Sequence, residues 1–404
     1  MMNTCVMLAA GQGKRMQPLT NTRPKVMVPI ANKPIIEWNL LKAKDAGITR
    51  FLFIIGYKSE MVRDYFKDGS EWDVHIDYVN QGTPKGTGHA ISVVEPFIEN
   101  EFIVLSGDTI FGSDDIKRVK DTSCCMGVCE VDHPEEYGVV ELQDDHIIHI
   151  HEKVKNPVSK MINAGIYHFT KDIFDCIKRT GISQRGEYEL TDAINLCATD
   201  KPVHSVVINT RRDIGYPWDL FDATREVLEE FNPEINGTVE PYATIKGPVT
   251  IGENTVVMNG SYITGPVIIG RNCKIGPNCY IRPYTAIGDG CHIGGASEVK
   301  NSIIMNESNV PHHNYVGDSV IGSGCNLGSG TKVANLRLDK KNIYVEHRGK
   351  RMNTNRRKLG VIMGDQVQTG INSVINVGSI IGDSVFIGPG SIASGTIDSK
   401  THIL

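Results

Sequence analysis

The 404-residue chain contains no run of about 18 apolar residues, the length a membrane-spanning helix requires, so no transmembrane segment is expected. Its first residues, Met1-Met2-Asn3-Thr4-Cys5-Val6-Met7, lack the basic start of a secretory leader and read as a buried strand. Positive charge is in short supply. Forty-two Lys and Arg stand against 47 Asp and Glu, a net charge of −5, which argues against a dedicated nucleic-acid binder. The ten cysteines have no framework spacing, so free thiols in a reducing, cytoplasmic setting are expected. Aromatic residues are only 7% of the chain, and they thin out toward its end: all three tryptophans precede residue 219, and Phe386 is the only phenylalanine after Phe231.

What is present divides in two. Residues 1–228 hold 16 glycines, whereas residues 229–404 hold 25 in a shorter stretch. The composition switches at Phe231-Asn232-Pro233-Glu234, and two domains, 1–230 and 231–404, are expected. In the first, short apolar runs at 3–9, 51–55, 73–79 and 102–106 alternate with helical patterns at 35–46, 59–67 and 87–95. Such alternation predicts an α/β, Rossmann-like, mostly parallel sheet covered by helices. Ligands of such sheets bind beyond the carboxyl ends of the strands.

The second domain is a repeat. Every sixth residue from Ile245 to Met305 is aliphatic or Met, eleven in succession. At ordinary apolar frequencies that run would arise by chance about four times in 100,000. Further registers run Ile321, Leu327, Val333 and Met363, Thr369, Ile375, Ile381, Ile387. A period of six fits neither a helix nor a half-buried meander, but it fits a parallel β-helix of hexapeptides with one aliphatic residue pointing inward per side. The glycines of the repeat are expected at corners that need positive φ. The register is read as broken over Asn309–Asp318, where a functional loop is expected.

Beyond the first strand lies Leu8-Ala9-Ala10-Gly11-Gln12-Gly13-Lys14-Arg15-Met16, followed by Arg23-Pro24-Lys25. Small residues let backbone amides approach phosphate, and Arg15 and Lys25 add charge. The third glycine of a dinucleotide fingerprint is missing. The string resembles the signature loop of sugar-1-phosphate nucleotidylyltransferases. Gln81, Gly86-Thr87-Gly88-His89, Ser106-Gly107-Asp108, Tyr137-Gly138, Glu152-Lys153, Asn163-Ala164-Gly165 and Asp213-Ile214-Gly215 follow in the family's order. The resemblance implies attack of a sugar-1-phosphate on the α-phosphorus of UTP or dTTP. It assigns Mg²⁺ to Asp108 and Asp213, and catalytic phosphate contacts to Arg15 and Lys25. Nucleotide contacts fall to Leu8, Ala10, Gly11, Gly13, Gln81, Gly86 and Thr87. The hexose or hexosamine phosphate falls to Gly138, Glu152, Lys153 and Asn163.

The later stretch Pro311-His312-His313-Asn314-Tyr315, with Asn326 and Asn335, resembles the acetyltransferase domain of archaeal bifunctional sugar-1-phosphate nucleotidylyltransferase/acetyltransferases. That resemblance implies a left-handed β-helix and acetyl-CoA as acetyl donor. His312 becomes the general base, with Tyr315, Asn326 and Asn335 positioning substrate and Arg282, Lys300 and Lys341 receiving the sugar phosphate. It also implies a homotrimer making UDP-N-acetylglucosamine. The alternative is a glucose-1-phosphate thymidylyltransferase or uridylyltransferase whose β-helix only trimerises. The basic segment 348–358 reads as a solvated loop, with coenzyme A phosphates as second reading. Metal binding by His146, His149 and His151 and redox chemistry at Cys124, Cys125 and Cys129 are not expected, and neither nucleic acid nor membrane is expected as a partner.

Overall fold

The computed structural model describes residues 4–404. It divides into two compact units. Of the described residues, the first comprises 4–12, Arg23–Met27 and Pro34–Asp213; the second comprises Gly13–Thr22, Val28–Lys33 and Ile214–Leu404.

The first unit is built on a nine-stranded mixed sheet. Four strands at one end are parallel, in the spatial order His75–Asn80, Arg50–Ile55, Thr4–Ala9, Glu101–Ser106. Alternation along them fills both faces: Cys5 and Met7 face one core and Val6 the other, and Phe51 and Phe53 oppose Leu52 and Ile54 in the same way. The helices Ile35–Asp45, Ser59–Phe66 and Thr87–Ser92 lie within a few residues of the expected spans. The order of these strands reverses between Thr4–Ala9 and Glu101–Ser106, which opens a crevice beyond their carboxyl ends. Gly107 lines it closely: its amide donates to Leu8 O at 3.1 Å, and a Cβ on Gly107 would lie 2.3 Å from that oxygen.

Cysteine chemistry departs from expectation at one pair. Cys176, on the helix Asp172–Arg179, and Cys197, on Leu190–Asp200, form a disulfide with Cα atoms 5.9 Å apart. Facing helices bring them together, and a separation of 21 residues gave no sign of it. The thiols Cys5, Cys124, Cys125, Cys129, Cys273, Cys279, Cys291 and Cys325 are free.

The second unit carries a left-handed parallel β-helix of three sheets, each strand pairing with its equivalent one coil later. The inward aliphatics from Ile251 to Val299 form its core as the period predicts, all under 1% exposed. Beyond Val299 the structure corrects the register. Ile304, not Met305, pairs with Ile287 and enters the core, because that corner is one residue shorter. The same shortening recurs between Val316 and Ile321. The strands Asn309–Val310 and Tyr315–Gly317 continue the coil, so Asn309–Asp318 is no interruption. The excursion is instead 336–358. It carries an antiparallel hairpin, Tyr344–His347 with Lys350–Asn353, and Leu359 N returns to bond Asn335 O at 3.1 Å.

Glycines take positive φ in the repeat as expected, at Gly247, Gly260, Gly290, Gly324, Gly330 and Gly390 among others. Left-handed corners are taken by Asn254, Asn272, Asn278 and Asn372 as well as by glycine. The glycine that follows the inward aliphatic has another reason to be there. A Cβ on Gly252 would lie 2.6 Å from the carbonyl carbon of Gly270, one coil later. Coil spacing, not backbone dihedral, excludes a side chain at that position.

Candidate active sites

In the first unit, the crevice collects the expected polar residues. Lys25 is buried, and its Nζ sits 2.6 Å from Asp108 Oδ2. Asp108 turns between the strands Glu101–Ser106 and Thr109–Phe111. The short strand Arg211–Asp213 pairs antiparallel with the latter, and Asp213 lies opposite Thr109. Two carboxylates separated by 105 positions in sequence are thus one register step apart. Both are partly exposed, at 40% and 24% of their side-chain area. Tyr137 donates to Asp213 at 3.4 Å, and Arg211 lies 3.7 Å from it while its guanidinium covers the Tyr137 ring. Burial and the Asp213 charge push the Tyr137 phenol up, so it stays a donor. Two adjacent hard oxygen donors with open faces fit a magnesium ion that keeps water and phosphate ligands.

Leu8 is half-buried, Ala10 buried, and Gly11 faces open space, with nothing within 4 Å of the Cβ it lacks. Gln81 is buried, its amide 3.2 Å from Gly86 O and 3.5 Å from His89 Nδ1. Gly86 has φ 111°, and a Cβ there would meet Tyr188 O at 2.4 Å, so no other residue fits. Thr87 is exposed, and its hydroxyl accepts from Leu190 N at 3.1 Å. Gly138, Glu152 and Asn163 converge from three strands: a Cβ on Gly138 would lie 3.0 Å from Glu152 Oε2 and 3.7 Å from Asn163 Cβ. Asn163 is held by its own turn, donating to Tyr167 OH at 2.8 Å and accepting from Gly165 N at 2.9 Å. Lys153 is exposed, in a left-handed turn, with its amide on Tyr137 O.

Arg185 was not singled out in the sequence. It pairs with Glu152 at 2.9 Å and approaches Glu189 at 3.3 Å. Burial pushes the Glu189 carboxyl up. No motif marks Arg185 or Arg211; only the fold places them beside Glu152 and Asp213. Asp145 at the strand edge lies between His146 Nδ1, at 2.7 Å, and His204 Nδ1, at 3.3 Å.

In the second unit, Gly13 takes the left-handed conformation, φ 70°, and starts the 3₁₀ turn Lys14–Met16 that carries Arg15. Along one corner of the β-helix, Arg282 and Lys300 stack on successive coils with Gly317 next in their row, and Asp318 and Asn335 stack in the adjoining row after Asn301. Each cation has a carboxylate: Arg282 meets Glu298 at 2.8 Å, and Lys300 meets Asp318 at 2.8 Å. Asp318 is almost fully buried and also accepts from Asn301 at 2.7 Å and from Asn335. Asp318 and Glu298 are the residues sequence reasoning missed; Asp318 stands one position past Gly317, the partner of Lys300 one coil later, so no repeat of 18 marked it.

His312 stands at the opposite corner of the same face, exposed, between Asn309–Val310 and Tyr315–Gly317. Tyr315 bridges the two corners. Its strand begins beside His312, and its hydroxyl accepts from Asn335 Nδ2 at 3.2 Å. Gly317 makes that reach possible, because a Cβ there would meet the Tyr315 hydroxyl at 2.6 Å. Asn326 belongs to the preceding face, paired with Asn309 and Gln368. Lys341 is exposed in the excursion, where its amide bonds Asp339 at 3.2 Å. The structure thus gathers Arg282, Lys300, Tyr315 and Asn335, and leaves Asn326 and Lys341 on other elements.

Among the described residues no helix is long and apolar enough to cross a membrane. Residues 4–230 match the nucleotidyl transferase family model. Residues 242–265 match a hexapeptide repeat of succinyl-transferase, and 263–397 match the GMPPB C-terminal domain. The chain is 42% identical over 400 residues to the bifunctional protein GlmU of Methanocaldococcus jannaschii, covering 98% of this chain and 96% of that one. It is 41% identical over 395 residues to a bifunctional sugar-1-phosphate nucleotidylyltransferase/acetyltransferase of Sulfurisphaera tokodaii, covering 96% of each. Among solved structures, a UDP-glucose pyrophosphorylase complexed with UDP-glucose aligns with 57% of this chain and 100% of its own, at TM-score 0.52 and 26% identity. A glucose-1-phosphate thymidylyltransferase structure from Bacillus anthracis aligns with 57% of this chain and 97% of its own, at TM-score 0.53 and 28% identity. With relatives matched from end to end over both units, the chain belongs to the family of archaeal bifunctional sugar-1-phosphate nucleotidylyltransferase/acetyltransferases, a family of transferase enzymes.

Proposed function

We propose that the protein makes UDP-N-acetylglucosamine in two steps, with residues 231–404 acetylating glucosamine-1-phosphate and residues 1–230 transferring uridylyl from UTP to the product. The observation that carries the first-domain reading is the register of Asp213 opposite Thr109, which sets its carboxylate one register step from Asp108, the partner of the buried Lys25. Uridylyl transfer joins two polyanions in line, so its barrier falls with orientation and with charge neutralisation. Asp108 and Asp213 would hold Mg²⁺. When bound, the ion neutralises phosphate charge and polarises the α-phosphoryl group. Lys25, released from Asp108, and Arg15 contact the triphosphate, and the amides of Leu8 to Gly13 approach its oxygens. Gln81 and Gly86 read the pyrimidine edge by amide and backbone groups. Gly138 leaves room for the sugar, Glu152 and Asn163 accept and donate to its hydroxyls, and Lys153 meets its phosphate.

For acetyl transfer, His312 takes the proton from the sugar ammonium, and the freed amine attacks the thioester carbonyl of acetyl-CoA. The C–S bond breaks, and the thiolate leaves to be protonated. Arg282 and Lys300 receive the sugar phosphate with help from Lys341, and Tyr315, Asn326 and Asn335 position the sugar and the acetyl group. Because His312 and the Lys300–Asn335 corner lie at opposite edges of one face, a neighbouring copy's corner set against His312 would complete each site. This supports a homotrimer.

One mass-resolved assay tests the reading. Protein, Mg²⁺, UTP, glucosamine-1-phosphate and acetyl-CoA are combined, and UDP-N-acetylglucosamine is the expected product. Failure to acetylate, with uridylyl or thymidylyl transfer to glucose-1-phosphate intact, would replace it with the single-activity alternative.

A further inference from the structure

Within the second unit, the turn that carries Arg15 has a gap in its own hydrogen bonding. Met16 N donates to Gly13 O at 2.9 Å, Gln17 N to Lys14 O at 3.4 Å, and Leu19 N to Met16 O at 3.0 Å. The donor that should serve Arg15 O in that series is Pro18, which has no N–H. The excursion hairpin supplies one instead. His347 Nε2 lies 2.9 Å from Arg15 O. A carbonyl only accepts, so Nε2 carries the proton. His347 is 4% exposed although the adjoining turn, Arg348-Gly349, is open to solvent.

The surroundings hold both partners. Tyr216 and Trp218 stack at 4.9 Å with planes 2° apart, and the His347 ring meets them edge-on at 6.5 and 6.3 Å. The Arg15 guanidinium lies 5.5 Å from the Tyr216 ring centre. Two side-chain bonds fix the end of the same segment to β-helix corners: Thr22 to Asp365 and Asn21 to Asp383, each 2.7 Å. Burial pushes the His347 imidazole below its usual value, which favours the neutral ring.

We infer that the excursion hairpin is a strap for the phosphate loop and that His347 is a positioning residue for nucleotidylyl transfer, acting by completing the hydrogen bonding of the turn that aims Arg15. The inference rests on the proposed contact of Arg15 with the triphosphate. A leucine or phenylalanine would fill the same volume; only a donor satisfies Arg15 O.

The test compares His347→Phe, which keeps a packed ring without the donor, with His347→Gln, which keeps a donor, in the full-length protein. Hydrogen exchange over residues 13–22 is read without substrate, and both reactions are then assayed. His347→Phe is expected to speed exchange in that segment. It should lower kcat of nucleotidylyl transfer about ten- to a hundredfold, the scale of a misplaced catalytic group, while acetyl transfer is retained. His347→Gln is expected to recover both. A His347→Phe variant with wild-type exchange and kcat overturns the strap. Equal loss in both variants and in both reactions makes His347 merely structural, which also overturns it. If the wild type transfers no nucleotidyl group, the proposed function fails, and the catalytic role with it, whereas exchange alone then decides whether the strap exists.

Discussion

The two candidate sites are assembled by opposite strategies. In the α/β unit, residues far apart in sequence reach one crevice because strand ends converge there: Lys25, Asp108 and Asp213 come from three separate segments. In the β-helix, Arg282, Lys300, Asp318 and Asn335 converge because the chain returns to the same corner once per coil. The first geometry depends on loop conformations, the second on a stacked scaffold. Substitutions in the crevice should therefore change chemistry with little change in stability. Substitutions along the corner should couple the two, because part of the site is also buried structure.

The largest expected effect separates the activities. Asp108→Asn removes a carboxylate from the candidate metal pair and should lower nucleotidylyl transfer about 100- to 1,000-fold. Acetyl transfer by the same protein should be unchanged. His312→Ala should do the converse, costing acetyl transfer about 100-fold or more. A variant that loses both reactions would break the comparison. Next in size, Lys300→Met strands the buried carboxylate of Asp318 with neutral donors only. It should destabilise the β-helix by about 3 kcal/mol, read by denaturant titration. Ile281→Ala, at a fully buried inward position, should cost about 2–5 kcal/mol in the same experiment.

The smallest effect concerns acid. Burial, with the neighbouring charges of Lys274 and His312, holds His292 below its ordinary value of 6.5. The unfolded chain then binds the proton more readily, so stability falls as pH drops through about 6.5 toward the folded-state value. The melting temperature of wild type should fall more between pH 7.5 and 5.5 than that of His292→Gln. Equal slopes would remove His292 from the account.

Legibility followed the same division. The β-helix core was readable because one inward residue per hexapeptide writes its period directly into the sequence, and only the corners after Val299 and Val316, each one residue shorter, shifted the register. The glycines at left-handed corners were legible, whereas those fixed by coil spacing, such as Gly252, are distinguished only by the neighbouring backbone. In the α/β unit, alternation marked the early strands and helices, while Arg185, Arg211 and the Cys176–Cys197 pair depend on tertiary placement that no local pattern records. The motif residues Gly138, Glu152 and Asn163 could be named in the sequence. That they meet follows from strand pairing.

The excursion at 336–358 leaves and re-enters at a corner, and the coil beneath closes as though nothing had been added: Ile321 pairs with Met363 as Ile304 pairs with Ile321. The solenoid therefore has a port at which chain length is uncoupled from rise. An appendage grafted there can lengthen, shorten or acquire new contacts without disturbing the rows of aliphatic side chains below. The same freedom makes this port the place where relatives built on one coil can diverge in what their excursion touches.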